Sequence, residues 1–467
     1  MKKFLGIALI VLALLISSAA ESRAASASDD ITFKGGGALR LRHEYWHNWK
    51  DYNNQAATKD NRNFFRIKTS VWGQANLGDD LMGYLKLTNE FRAHAYYGGT
   101  SGSNPDKTND KKGYHFMIDE VLVDNLFIDV KGAFDLPVDL RVGRQDFLGM
   151  YGEGFLIMDG TPGDGSRTFF FNAAKASWKV DEYNTVDFIG IINPKDDDFL
   201  PVLNRNEYTP YNKPGADKVP TFLNTTDETG FVTYWKTKAF KNLAWELYYI
   251  NKKEDNENGS GYQERKTKLD TLGSYAKYKM DPFTLRGQFA WQRGKYGIDD
   301  RKGMAGYGWV DHDWKDAKWA PQLSVGYVYL SGDKKGTPTM EGWNPLFSRF
   351  PLWSELYLLS MASETGIVGY WTNLSMPGLQ LKFKPSEKMK MMLAYYYLRA
   401  DELPSLTPTS VFSATSKDRG HLPQFRVDYA FSKDVTGYFL VEYLKPGKFY
   451  TERDSGLFTR TEIQFKF

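Results

Sequence analysis

Nine basic residues alternate with apolar ones in short segments, and guanidinium and ammonium groups at that spacing are chemistry for holding anions. They are Arg40, Arg42, Arg66, Lys68, Arg92, Arg286, Lys382, Arg426 and Arg460. Acidic Glu44, Glu90, Asp428 and Glu462 share their parity. Cations outnumber acids on this face, so an anionic solute is attracted to it, and arginine can pair with a carboxylate through two parallel N–H groups. The same residues can instead brace a sheet by pairing across strands. Both uses are open for any single residue.

Other reactive groups give weaker signals. The six histidines are expected to form no metal site, and no cofactor is expected. The acidic run Asp196-Asp197-Asp198 could hold Ca²⁺ at a cell surface, but a solvated loop is the more ordinary reading. A lipid-hydrolysing site needs a serine, a histidine and an acid close together near a rim. His43 with Ser70 is the pair on offer, but His43 has the parity of the apolar face, so no catalytic residue is assigned and an enzyme is not expected.

The elements that carry the basic residues read as strands. Period-2 alternation describes an extended segment with one apolar and one wet face. Leu39, Leu41, His43 and Tyr45 oppose Arg40, Arg42 and Glu44; Phe65, Ile67 and Val71 oppose Arg66 and Lys68. Phe283, Leu285, Phe289 and Trp291 oppose Arg286 and Gln288; Leu379, Leu381 and Phe383 oppose Lys382. Tight turns are expected at Gly78-Asp79-Asp80, Met280-Asp281-Pro282 and Pro385-Ser386-Glu387. Residues 97–114, 193–226, 251–266, 332–352 and 403–422 are long and polar and read as loops, some able to fold inward as a plug.

Residues 457–467 close the argument. Leu457, Thr459, Thr461, Ile463, Phe465 and Phe467 share one face, Phe458, Arg460, Glu462, Gln464 and Lys466 the other. A strand that ends the sequence so abruptly must pair, because a free edge leaves N–H and C=O groups bare. In a bilayer a closed barrel is what removes the edge. The expected partner is the segment 31–47. The predicted fold is therefore all-β: a single transmembrane antiparallel barrel of about 18 strands (16–20), with short periplasmic turns and long extracellular loops.

Composition agrees. Lys2 and Lys3, an apolar run over 4–16 and small residues through Ala24 and Ala27 read as an export leader, residues 1–27, leaving 28–467 as the barrel. Mean hydropathy is −0.51, so helices are not expected to cross the membrane. The sequence has 29 Tyr, 31 Phe and 13 Trp, enough for aromatic girdles, and no cysteine. Net charge is +3; the leader removes three positive charges and one negative, leaving about +1. Global charge therefore predicts no nucleic-acid partner. The expected surroundings are outer-membrane lipid and lipopolysaccharide, with the barrel-assembly machinery meeting the strand that ends in Phe467.

A family resemblance adds to this. Leu140-Arg141-Val142-Gly143-Arg144-Gln145-Asp146-Phe147, then Tyr151-Gly152 and Ser166-Arg167-Thr168-Phe169, resemble the LRxGRQ…YG…GRTF signature of alginate export barrels. Tyr329-Leu330-Ser331-Gly332-Asp333 with Trp343-Asn344-Pro345-Leu346-Phe347 is similar to that family's SGD and PLF segments, and the tail to Phe467 is similar as well. The resemblance implies an 18-stranded barrel with an arginine-rich constriction passing an anionic polysaccharide outward, with Arg66, Arg144 and Arg167 as constriction cations. Arg144 has the parity of outward Leu140 and Val142, so its role requires a bulge or a place beyond the lipid band. The expected function is a channel for anionic sugars or small anions, with a periplasmic export partner left open. The alternatives are an uptake porin, a plugged barrel serving as receptor or adhesin, and a soluble secreted β-protein.

Overall fold

The computed structural model describes residues 31–56, 61–97, 115–157, 170–194, 199–200, 226–255, 266–348, 350–365, 367, 369–403, 411–413 and 415–467. The leader, Asp196-Asp197-Asp198 and Arg167 lie outside the described residues, as does the side chain of Arg92.

Eighteen antiparallel strands form the wall. They are β1 (Ile31–His47), β2 (Arg62–Leu77), β3 (Leu81–Tyr97), β4 (His115–Val130), β5 (Val138–Gln145) and β6 (Phe171–Lys179). Then come β7 (Asn184–Asn193), β8 (Asp227–Phe240), β9 (Leu243–Asp255), β10 (Thr267–Met280), β11 (Phe283–Tyr296) and β12 (Asp299–Asp313). The circuit ends with β13 (Gln322–Leu330), β14 (Leu374–Ser386), β15 (Met389–Arg399), β16 (Asp418–Ala430), β17 (Val435–Pro446) and β18 (Gly456–Lys466). Each strand pairs with its sequence neighbour, and β18 pairs with β1 from Ala38↔Lys466 to His47↔Leu457. The expected closure is the one observed. A two-residue strand, Thr339–Met340, adds only a parallel bridge to β12.

The turn expectations hold with small shifts. Residues 78–80 and 281–282 turn, whereas β14 runs on through Ser386 with a register shift and the turn falls at Glu387 and Lys388. Two stretches read as loop are strand: residues 251–255 finish β9 and residues 418–422 begin β16. Their charged sequence (Asn251, Lys252, Lys253, Glu254) looks like loop because β9 outruns the bilayer. A membrane strand needs about 9–11 residues, and β9 has 13 while β1 has 17.

The pleat sorts side chains as expected. Phe289 is 56% exposed and its neighbour Gln288 is 5%. Val71, Val325, Leu379 and Leu393 are likewise exposed, while Arg66, Ser324 and Glu44 are buried. Lipid satisfies the first set, and only an enclosed polar interior satisfies the second.

Among the described residues, two connections supply much of the packing in that interior. Residues 146–157 follow β5; residues 331–373 follow β13 and carry α1 (Glu355–Ser360) and α2 (Ala362–Thr365). Phe155, Leu156, Trp343, Phe347, Leu356 and Tyr357 are buried in one apolar cluster with wall residues Tyr234, Ile250, Ala305 and Phe458. Burying each large apolar side chain is worth about 1.5–3 kcal/mol, which holds these segments against the wall.

Candidate functional site

Four strands, β18, β1, β2 and β3, set an ion-pair lattice on the inner face. Register places Arg460 opposite Glu44, Glu462 opposite Arg42, and Arg42, Arg66 and Arg92 in line on β1, β2 and β3. Like charges directly opposite repel, so acids one step away on the same face take up the guanidiniums. Glu90 accepts from Arg40 Nη2 at 2.7 Å and from Arg66 Nε at 2.9 Å and Nη2 at 2.6 Å. Glu44 accepts from Arg460 Nε at 2.8 Å, and Glu462 from Arg42 Nε at 2.7 Å. Lys68 lies in register between Arg40 and Glu90.

Arg286, on β11, belongs to a second group. It donates to Asp311 on the next strand at 2.9 Å and to Glu153 of the inward segment at 2.7 Å, with its guanidinium 5.4 Å from the Trp309 ring. Arg426 is held by Asp428 two residues on, at 2.6 Å, and lies 4.0 Å over Tyr438. Asp428 is thus a local partner.

Arg144 stands apart. Gly143 has φ +131°, and a Cβ there would lie 2.2 Å from the Leu126 carbonyl. That glycine ends the alternation: Arg144 and Gln145 are both buried in sequence. Arg144 donates to Asn172 and to the Val123 carbonyl, each at 3.0 Å, and stacks 3.9 Å over Phe170. The irregularity required by parity is present, and these three partners are neutral.

Docking of the inward segments uses wall residues that sequence reasoning missed. Gly152 N–H donates to Glu246 and Tyr151 O–H to Asp187, both at 2.9 Å. Burial, and then the Asp187 carboxylate, push the Tyr151 phenol far above its ordinary value. Lys252 bridges Glu228 at 2.7 Å and the Leu346 carbonyl at 2.8 Å. On the far side Glu442 accepts from Ser354 Oγ, Glu355 N and Leu356 N, capping α1 from the wall. Arg460 reaches Glu355, and Arg419 pairs with Glu364 at 2.7 Å. Segment 331–373 is therefore tied both to β9 and to β16–β18. It is also tied to the other segment: Phe347 N–H donates to the Leu156 carbonyl at 3.1 Å and Ser348 Oγ to Gly154 at 2.8 Å. Parity alone could have found Glu442, between outward Val441 and Tyr443. Nothing periodic marks Glu153 or Glu355.

Beside these segments a cavity of about 550 Å³ remains, lined by the cations Arg42, Arg286, Lys382, Arg426 and Arg460, by the acids Glu153, Glu355 and Glu442, and by Trp309, Phe350 and Trp353. It brings together cations from five strands that the sequence places hundreds of residues apart.

One string has zinc-site spacing despite the expectation of no metal: His43-Glu44-Tyr45-Trp46-His47 spells HExxH. That pattern works on a helix, where i and i+4 meet. Here it lies in β1, where four residues span roughly 13 Å. His43 bonds Asn63 at 2.7 Å, His47 bonds Asn61 at 2.8 Å, and Glu44 points to the opposite face. Nor does His43 meet Ser70, which pairs with Ala38. Among the described residues no cluster of three metal-ligating side chains occurs.

Comparison with known proteins gives one sequence match and a set of structural ones. The alginate export family model matches residues 213–462, just over half of the sequence. Curated proteins give no sequence match. The barrel is similar to OccK9 (OpdG) of Pseudomonas aeruginosa (TM-score 0.56) and OccAB4 of Acinetobacter baumannii (TM-score 0.54). Both are 10% identical and align over 93% of this chain and 98% of theirs. At that identity the likeness establishes the fold.

Proposed function

Because this chain belongs to the alginate export family, we propose that it is an outer-membrane channel for anionic solutes, uronate-bearing polysaccharide among them. The observation that carries this reading is the sidedness of the wall. Arg40, Arg42, Arg66, Arg286, Lys382, Arg426 and Arg460 share the enclosed face, whereas the outward face is apolar. A passive pore needs no covalent chemistry. It needs a water-filled path whose fixed charge lowers the cost of admitting one sign of ion.

The acids on that face moderate the field. Each of Glu44, Glu90 and Glu462 holds two or more arginines in place, so the guanidiniums stay oriented while their N–H groups remain donors for a passing carboxylate. Arg92, Arg144 and Arg167 complete the proposed path. In this reading the leader delivers the chain for export, the assembly machinery engages the strand ending in Phe467, and the mature barrel sits in lipopolysaccharide-bearing membrane.

A second reading, a plugged barrel acting as a receptor or adhesin, is favoured by the bonds between residues 146–157 and 331–373 inside the wall. Reconstitution into planar bilayers separates the two. A channel passes current, and its reversal potential in a salt gradient favours anions; uronate oligomers block it, and Arg167→Ala weakens that block. A preference for cations overturns the anion reading, and a barrel that never conducts favours the receptor.

A further inference from the structure

The cavity beside the inward segments has a composition that a purely polar polymer conduit does not need. One inward row runs Lys382 (β14), Met392 (β15), Arg426 (β16), Leu440 (β17), Arg460 (β18), as the registers Lys382↔Met392, Met392↔Arg426, Arg426↔Leu440 and Leu440↔Arg460 show. Cation and apolar side chain alternate strand by strand. With strands about 4.8 Å apart, successive cations stand roughly 10 Å apart with a hydrocarbon between them. Opposite this row the inward segment offers Phe350, Pro351, Leu352 and Trp353, four apolar residues in succession.

The charges are not equivalent. Arg42 is engaged by Glu462, Arg286 by Glu153 and Asp311, Arg426 by Asp428, and Arg460 by Glu44 and Glu355. The Lys382 side chain has no hydrogen bond or ion pair among the described residues, although it is half-buried at the cavity wall. An ammonium in a partly apolar recess, with Glu153 and Asp311 bonded to Arg286 rather than to it, is a counter-ion site awaiting a ligand.

From this arrangement, and resting on the anion-channel reading above, we infer that the cavity is a binding site for a compact amphipathic carboxylate, such as an aryl- or alkyl-substituted acid. The carboxylate meets Lys382, with Arg426 next along the row, and the hydrocarbon part lies between Met392 and Leu440 on the wall and Phe350 and Leu352 on the inward segment. The volume of about 550 Å³ lies within the usual span for small-molecule sites, ~300–1,000 Å³.

The test uses the full mature chain in detergent and in planar bilayers, with phenylacetate, glucuronate and benzyl alcohol as probes. Tryptophan emission, reporting on Trp309 and Trp353, and blockade of single-channel current are read together. Phenylacetate is expected to act at a concentration about tenfold below glucuronate, because burying its ring adds a hydrophobic increment to the same ion pair. Benzyl alcohol is expected to be without effect. Lys382→Met should remove the phenylacetate response and Lys382→Arg should retain it. Leu352→Ser should weaken phenylacetate and leave glucuronate unchanged, which keeps the test decisive if Lys382→Met fails to assemble. Glucuronate acting as strongly as phenylacetate, or a Lys382→Met response equal to that of the unmodified chain, overturns the inference while leaving an anion-selective channel intact. A cation-selective pore overturns the channel reading and this site with it.

Discussion

Gly37 and Phe467 exchange two backbone hydrogen bonds, 2.7 Å and 3.0 Å, and the terminal ring lies where a side chain at position 37 would be. A Cβ on Gly37 would stand 2.6 Å from that ring, and one on Gly36 2.7 Å from the Phe467 carbonyl. The seam thus closes through a glycine stretch that admits the last residue of the sequence.

Gly37→Val should therefore impair closure. Overpacking a fitted contact costs typically 1–3 kcal/mol, and at the seam that cost falls on the pairing of β1 with β18. The fraction of heat-modifiable, fast-migrating barrel on a gel is expected to fall. Gly73→Ala, with open space around it, should behave like the unmodified chain.

Glu90→Gln tests the lattice. Glu90 is the acid for both Arg40 and Arg66, and its own side chain is fully buried. Breaking a buried pair by removing one partner costs about 3–5 kcal/mol. Guanidinium unfolding followed by tryptophan emission should show a lower midpoint at an unchanged slope. An unchanged midpoint would mean that water, not Glu90, supports these guanidiniums.

Glu442→Ala should loosen the inward segment. It removes the acceptor for Ser354 Oγ and for two amides at the start of α1, and an intramolecular hydrogen bond contributes roughly 0.5–1.5 kcal/mol. Added protease is expected to cleave between 343 and 371 faster, and single-channel conductance to rise. If both stay as they were, the apolar contacts of Trp343, Phe347 and Leu356 alone hold the segment.

Ionic strength should tune selectivity. The proposed anion preference rests on fixed charges along an aqueous path, and the Debye length shortens from about 10 Å at 0.1 M salt to about 3 Å at 1 M. The anion-to-cation permeability ratio from reversal potentials is expected to fall over that range. A ratio independent of salt would assign selectivity to pore width instead.

What the residue pattern determined by itself was the wall. Alternation at Leu39–Tyr45, at Phe283–Trp291 and in the last eleven residues fixed strand, face and closure together, because a strand's period of two gives every residue a side once one residue has it. The Arg40, Arg42, Arg66 and Arg460 positions followed from the same rule. Arg144 did not, since Gly143 resets the parity at a left-handed φ that no alternation reveals. The interior was decided only in three dimensions. Residues 146–157 and 331–373 have no period, and their burial comes from partners such as Arg286 for Glu153, 133 positions away, and the wall's Glu442 for Ser354. Loops take their place from the surface they meet, and that surface exists only once the barrel has closed.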